Sequence, residues 1–173
     1  RYGASELAGF EERARHMIAI AEEALAPVTP APVDGFRRYV TREPLGLVLV
    51  VAPWNYPFLT AVNSVIPALL AGNAVLLKHA AQTPLVAERF QAAADRAALP
   101  QGLFQHLFLD HAGTARLVAG GAVDQVNFTG SVTGGRAMEI AAGGTFAGLG
   151  LELGGKDPAY VRADANLDHA IEN

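Results

Sequence analysis

The sequence predicts an α/β protein built on a doubly wound, mostly parallel sheet, and three observations carry that prediction. Apolar runs of strand length alternate with segments of helical periodicity, joined by short connections. One run, Leu45–Ala52 (LGLVLVVA), is continuous and β-branched, as expected of a strand covered on both faces. Val123–Gly135 (VDQVNFTGSVTGG) reads as a strand, a glycine turn and the opening of a helix, the kind of connection at which such sheets hold ligands.

From Ser5 to Leu25, Leu7, Phe10, Ala14, Met17, Ala21 and Leu25 recur at helical spacing opposite a charged face, which predicts an amphipathic helix. Pro27–Pro32 (PVTPAP) ends it as a stiff linker, and Phe36–Thr41 reads as a short strand. After Leu45–Ala52, stopped by Pro53, comes a helix over Phe58–Leu70 with an expected kink near Pro67, closed by Gly72 and Asn73. Ala74–Lys78 is the next buried strand. Thr83 then offers a capping hydroxyl before Pro84, opening a helix to about Leu99. Leu103–Leu109 returns as a strand, Ala112–Ala119 as a short helix, Gln125–Phe128 as a strand and Val132–Ala142 as a helix.

Composition narrows the classes of function. Of 173 residues, 51% are hydrophobic and 17% charged, which excludes a disordered chain and suits one interior-rich domain. A net charge of −4 argues against nucleic acid or an anionic membrane as the main partner, and the apolar runs are too short to span a bilayer. The chain is therefore expected to be soluble, with the cytoplasm as its default compartment. It has no cysteine, which removes both disulfides and a thiol nucleophile. Arg1 is not an initiator methionine, and Leu167, Ala170 and Ile171 follow helical spacing into Asn173 without a terminator, so a piece of a longer chain is expected.

Three polar features, the Pro53–Pro57 loop, Lys78 and the turn at Gly130 and Ser131, gather at or just after the carboxyl ends of the predicted strands, and Glu152 is a further candidate. Gly130, Gly134 and Gly135 give the backbone freedom to turn tightly, and Ser131 adds a hydroxyl beside the unpaired N–H groups of a helix start, a combination able to hold a phosphate. Pro53–Pro57 (PWNYP) holds Trp54, Asn55 and Tyr56 in a proline-bounded loop, where the Asn55 amide could donate to an oxyanion or merely satisfy local backbone. Lys78 ends a buried strand, where its ammonium could meet ribose or phosphate oxygens or snorkel to solvent. Glu152 lies between two leucines, which would favour its acid form and suit a general base; pairing to Lys156 is the competing reading.

Four stretches, REPLGLVLVVAPWNYPF, PALLAGNAVLLKHAAQTP, VNFTGSVTGG and LELGGKDPAYV, occur in an order that resembles the aldehyde dehydrogenase superfamily, the resemblance running from about Glu43 to Asn173. It implies a Rossmann-like cofactor domain over residues 43–173 behind a helical lead-in and linker over 1–42. It also implies NAD or NADP as cofactor, a small-molecule aldehyde as substrate, oxidation to the acid through a cysteine thiohemiacetal, and a full-length dimer or tetramer. By position, Asn55 resembles the family's oxyanion-hole amide and Glu152 its general base. Lys78 resembles the lysine on the adenosine ribose, Trp54 lines the cofactor cleft, and Gly130, Ser131 and Gly135 match the phosphate-binding turn. Gly113 resembles a helix glycine near the adenine.

Two departures bear on function. The family's nucleophilic cysteine falls downstream of LELGGK, beyond Asn173, and Ala81 stands where NAD-preferring members carry a glutamate that grips the ribose. Without that carboxylate, a 2′-phosphate would not be repelled. LLKHA resembles some semialdehyde-oxidising members. The alternative is a non-catalytic nucleotide-binding or scaffold protein of the same fold, and a reductase of acyl phosphates is a more distant rival.

Overall fold

The computed structural model describes residues 3–172. Its elements run α1 (Gly3–Leu25), β1 (Leu47–Ala52), α2 (Pro57–Leu70), β2 (Ala74–His79), α3 (Pro84–Arg96), β3 (Phe104–His106), α4 (His111–Ala119), β4 (Gln125–Gly130), α5 (Val132–Ala142), β5 (Gly148–Leu153) and α6 (Leu167–Glu172). The strands form one sheet in the order β3-β2-β1-β4-β5, and every pairing is parallel. Chain order reverses between β1 and β4, the switch point where doubly wound sheets hold their ligands.

Alternation along the strands divides the core. Val48, Val50 and Ala52 of β1, with Val75 and Leu77 of β2, pack under α2 and α3, and Phe10 of α1 joins the edge of this cluster. Leu49 and Val51 point the other way, to Val118 of α4 and Met138 and Ala142 of α5. Both faces are covered, which is why β1 and β2 read as unbroken apolar runs. The helix end predicted at Gly72 is a Schellman arrangement: Gly72 takes φ +83°, its N–H reaches the Leu69 carbonyl, and the Asn73 N–H reaches Ala68.

Several expectations change. Phe36–Thr41 is not a strand; among the described residues this region carries only the isolated antiparallel bridges Val28–Val40 and Val33–Phe36 and does not join the sheet. The strand expected over Leu103–Leu109 shortens to Phe104–His106. Thr83 is the N-cap of α3, but its hydroxyl caps nothing and is buried without a hydrogen bond among the described residues. β5 is a strand that the sequence pattern does not predict. Its glycines stand beside long polar side chains of β4: a Cβ on Gly148 would lie 2.1 Å from Oε1 of Gln125, and one on Gly150 2.8 Å from Oδ1 of Asn127.

Candidate active site

The loop after β1 and the turn after β4 flank the switch point. Pro53 leads into Trp54, Asn55 and Tyr56, all exposed, and Tyr56 takes a left-handed conformation (φ 47°) as the N-cap of α2. The Thr60 hydroxyl reaches back toward the Asn55 carbonyl at 3.5 Å.

Register places Gln125, Asn127 and Thr129 of β4 and Glu152 of β5 on the face that α2 covers farther in, above β1 and β2. There the sheet extends past the helix and leaves an open cleft of about 520 Å³, walled by Thr60, Asn63 and Ser64 of α2 on one side and by Asn127, Thr129 and Glu152 on the other. Glu152 is therefore an exposed carboxylate in a polar cleft. Leu151 and Leu153, its neighbours in sequence, project from the opposite face, so the apolar surroundings expected for it do not exist. The cleft brings Glu152 together with the first two turns of α2, and Asn55 stands just before that helix; the Asn55 side chain is not part of the cleft wall.

The other candidates lie at the same carboxyl edge. Lys78 sits next to last in β2, only 6% exposed, on the α4 and α5 side with Val51 as its register partner. Burial lowers its pKa below the usual lysine value, and the Asp110 carboxylate partly opposes that shift. Asp110 also caps α4 by accepting from the Gly113 N–H at 2.6 Å. Gly113 is buried, and a Cβ there would meet the Asp110 carboxylate at 2.9 Å.

At α5, Ser131 is the N-cap and its hydroxyl accepts from the Gly134 N–H at 3.1 Å. That leaves the N–H groups of Val132 and Thr133 at the helix start without intrahelical acceptors. The glycines here do not supply unusual backbone angles, since Gly130, Gly134 and Gly135 all lack positive φ. They supply space. A Cβ on Gly130 or Gly134 would lie 2.8 or 2.5 Å from Cζ of Phe128, and one on Gly135 2.5 Å from Leu153.

His79, beside Lys78, points to the opposite face, with its ring 6.3 Å from that of Phe90. Neither ring nitrogen has a hydrogen-bond partner among the described residues. Burial brings its pKa to about 4; the Pro53 backbone pulls the other way, and the Lys78 charge adds to the lowering.

Reading the sequence missed Thr60, Asn63 and Ser64. The available signal was three polar residues at helical spacing on an otherwise apolar helix, matched by polar Gln125, Asn127 and Thr129 alternating along β4.

Fold and site together define a doubly wound α/β protein with a Rossmann-like sheet and a polar cleft at its switch point. The chain belongs to the aldehyde dehydrogenase family, whose model matches residues 3–173. A succinate-semialdehyde dehydrogenase [NADP(+)] of Mycobacterium avium (strain 104) is 37% identical over 160 residues, covering 91% of this chain and 34% of that protein. An aldehyde dehydrogenase of Paenarthrobacter nicotinovorans is 40% identical over 159 residues, covering 90% and 35%. Among solved structures, the aldehyde dehydrogenase of Bartonella henselae superposes with a TM-score of 0.86 at 32% identity, covering 98% of this chain and 36% of that one. The chain spans about a third of the length of the curated relatives it matches.

Proposed function

We propose that the chain is the cofactor-binding part of an NAD(P)-dependent aldehyde dehydrogenase that oxidises an aldehyde to a carboxylic acid, with its cysteine nucleophile supplied from beyond Asn173. The observation that carries this reading is the cleft at the switch point: a single carboxylate, Glu152, in a wall of amide and hydroxyl groups, beside the helix start that follows Asn55.

The residues present suit a dinucleotide. A buried lysine at the end of β2 would bond ribose oxygens, the amides of Val132 and Thr133 with the Ser131 hydroxyl would take a pyrophosphate at the turn that Gly130 and Gly135 help to pack, and Gly113 lies in the first turn of α4, where the adenine would approach. Trp54 would line the opening. When bound, the nicotinamide supplies the hydride acceptor for the oxidation. The Asn55 amide donates to the oxyanion that develops as the thiol adds to the aldehyde. Glu152 takes a proton from the hydrolytic water, whose oxygen then attacks the thioester and releases the acid.

The relatives' names and the absence of a carboxylate at Ala81 support NADP as an accepted cofactor and a semialdehyde as the substrate class, and hydrogen-bonding groups at Thr60, Asn63 and Ser64 suit a substrate with a polar tail. The reading carries with it a cytoplasmic homo-oligomer, dimer or tetramer; exposed Ile140 and Phe146 support further contacts.

In the full-length enzyme, Glu152→Gln should retain a first turnover of reduced cofactor while steady-state turnover falls by about 10² or more, because only deacylation needs the base. Undiminished steady-state turnover would remove Glu152 from the mechanism. A coding sequence with no cysteine after Asn173 would support the non-catalytic alternative instead.

A further inference from the structure

The start of α2 cannot cap itself. Tyr56, its N-cap, is left-handed and makes no side-chain cap, and Pro57 at the first helical position has no N–H. The Thr60 N–H already reaches the Tyr56 carbonyl at 2.8 Å. The two remaining amides, of Phe58 and Leu59, both donate to one carboxylate oxygen of Glu6 on α1, at 2.8 and 3.1 Å. A negative charge also suits this end of the helix dipole. Two other contacts fix the crossing of the helices: Phe10 packs edge-on against Phe58 with ring centroids 6.3 Å apart, and Arg13 donates to Oδ1 of Asn63 at 3.1 Å. Asn55 lies three residues before Phe58, inside a loop whose ends are Pro53 and Pro57, so clamping the first turn of α2 limits where Asn55 can move.

We propose that Glu6 is a positioning residue: its carboxylate, reaching from α1, holds the start of α2 so that the Asn55 amide stays aimed at the developing oxyanion. This rests on the reading of Asn55 given above.

The test is a double-mutant cycle in the full-length enzyme. Glu6→Ala should lower kcat about 10- to 100-fold, with KM for the aldehyde and Kd for the cofactor nearly unchanged, because misaiming a donor acts on the transition state. Added to Asn55→Ala, it should cost almost nothing more. Glu6→Asp keeps the charge but withdraws the oxygens by one methylene; it should show a smaller loss with the same non-additivity, and it decides the matter if Glu6→Ala does not fold. Wild-type kcat in Glu6→Asp and in any folded Glu6→Ala protein overturns the proposal, as do losses that simply add to that of Asn55→Ala. If Asn55→Ala alone leaves kcat intact, the reading of Asn55 fails, and the proposal with it.

Discussion

His79 is the residue whose surroundings most constrain its chemistry. It is 5% exposed, packed near Phe90, and held neutral by burial. Its pKa is about 4 in the folded chain against 6.5 when free, so the unfolded chain binds the proton more readily. The stabilising contribution is therefore fully present above pH 6.5 and is lost as pH falls toward 4. The expected loss is about 2 kcal/mol at pH 5 and about 3 kcal/mol once the ring is fully charged. Urea midpoints of the wild type and His79→Leu, compared at pH 7 and pH 5, check this: the variant should lose less between the two, and equal losses would clear His79. Nothing in its local sequence marked His79 as buried, and the leucines around Glu152 suggested an apolar setting that the alternation of a strand reverses. Burial at single residues depends on which face each side chain takes, and on what covers that face.

For elements, docking of α5 on β4 and β5 depends on missing side chains. The ring of Phe128 lies against both Gly130 and Gly134, so a methyl on Gly134 would press on a rigid ring that can yield only by moving as a whole, whereas Leu153, facing Gly135, is 40% exposed and can rotate away. Overpacking costs about 1–3 kcal/mol and exceeds the roughly 1 kcal/mol that alanine gains over glycine within a helix. Gly134→Ala should therefore lower the urea midpoint, by about 1 kcal/mol in stability. In a Phe128→Leu background the same change should become neutral or stabilising; destabilisation of equal size in both backgrounds would show that the ring is not the obstacle. Strand β1 and helices α1, α2 and α5 were legible because their apolar spacing is local and strong. β5 was not, since its glycines make sense only beside Gln125 and Asn127 of the next strand.

At the scale of the whole molecule, the parallel order β3-β2-β1-β4-β5 gathers the connections after β1, β2 and β4 on one edge, where the proposed cofactor site lies and where its selectivity can be tested. Ala81 follows β2 and is exposed. Introducing a carboxylate there should repel a 2′-phosphate and accept from ribose hydroxyls, so Ala81→Glu should shift the Kd ratio toward NAD by about tenfold or more in the full-length enzyme. A clear NAD preference in the wild type would contradict the reading. The sequence alone determined the alternation of strands and helices, the turn after β4 and the resemblance of four motifs, because these depend on near neighbours in the chain. Only the tertiary structure decided that α1 caps α2 through Glu6, that Glu152 stands in a polar cleft opposite Thr60 and Asn63, and that the glycines of α5 make space rather than turns. Those facts join residues far apart in sequence, and the physics that sets them, packing and the pairing of buried polar groups, acts through space.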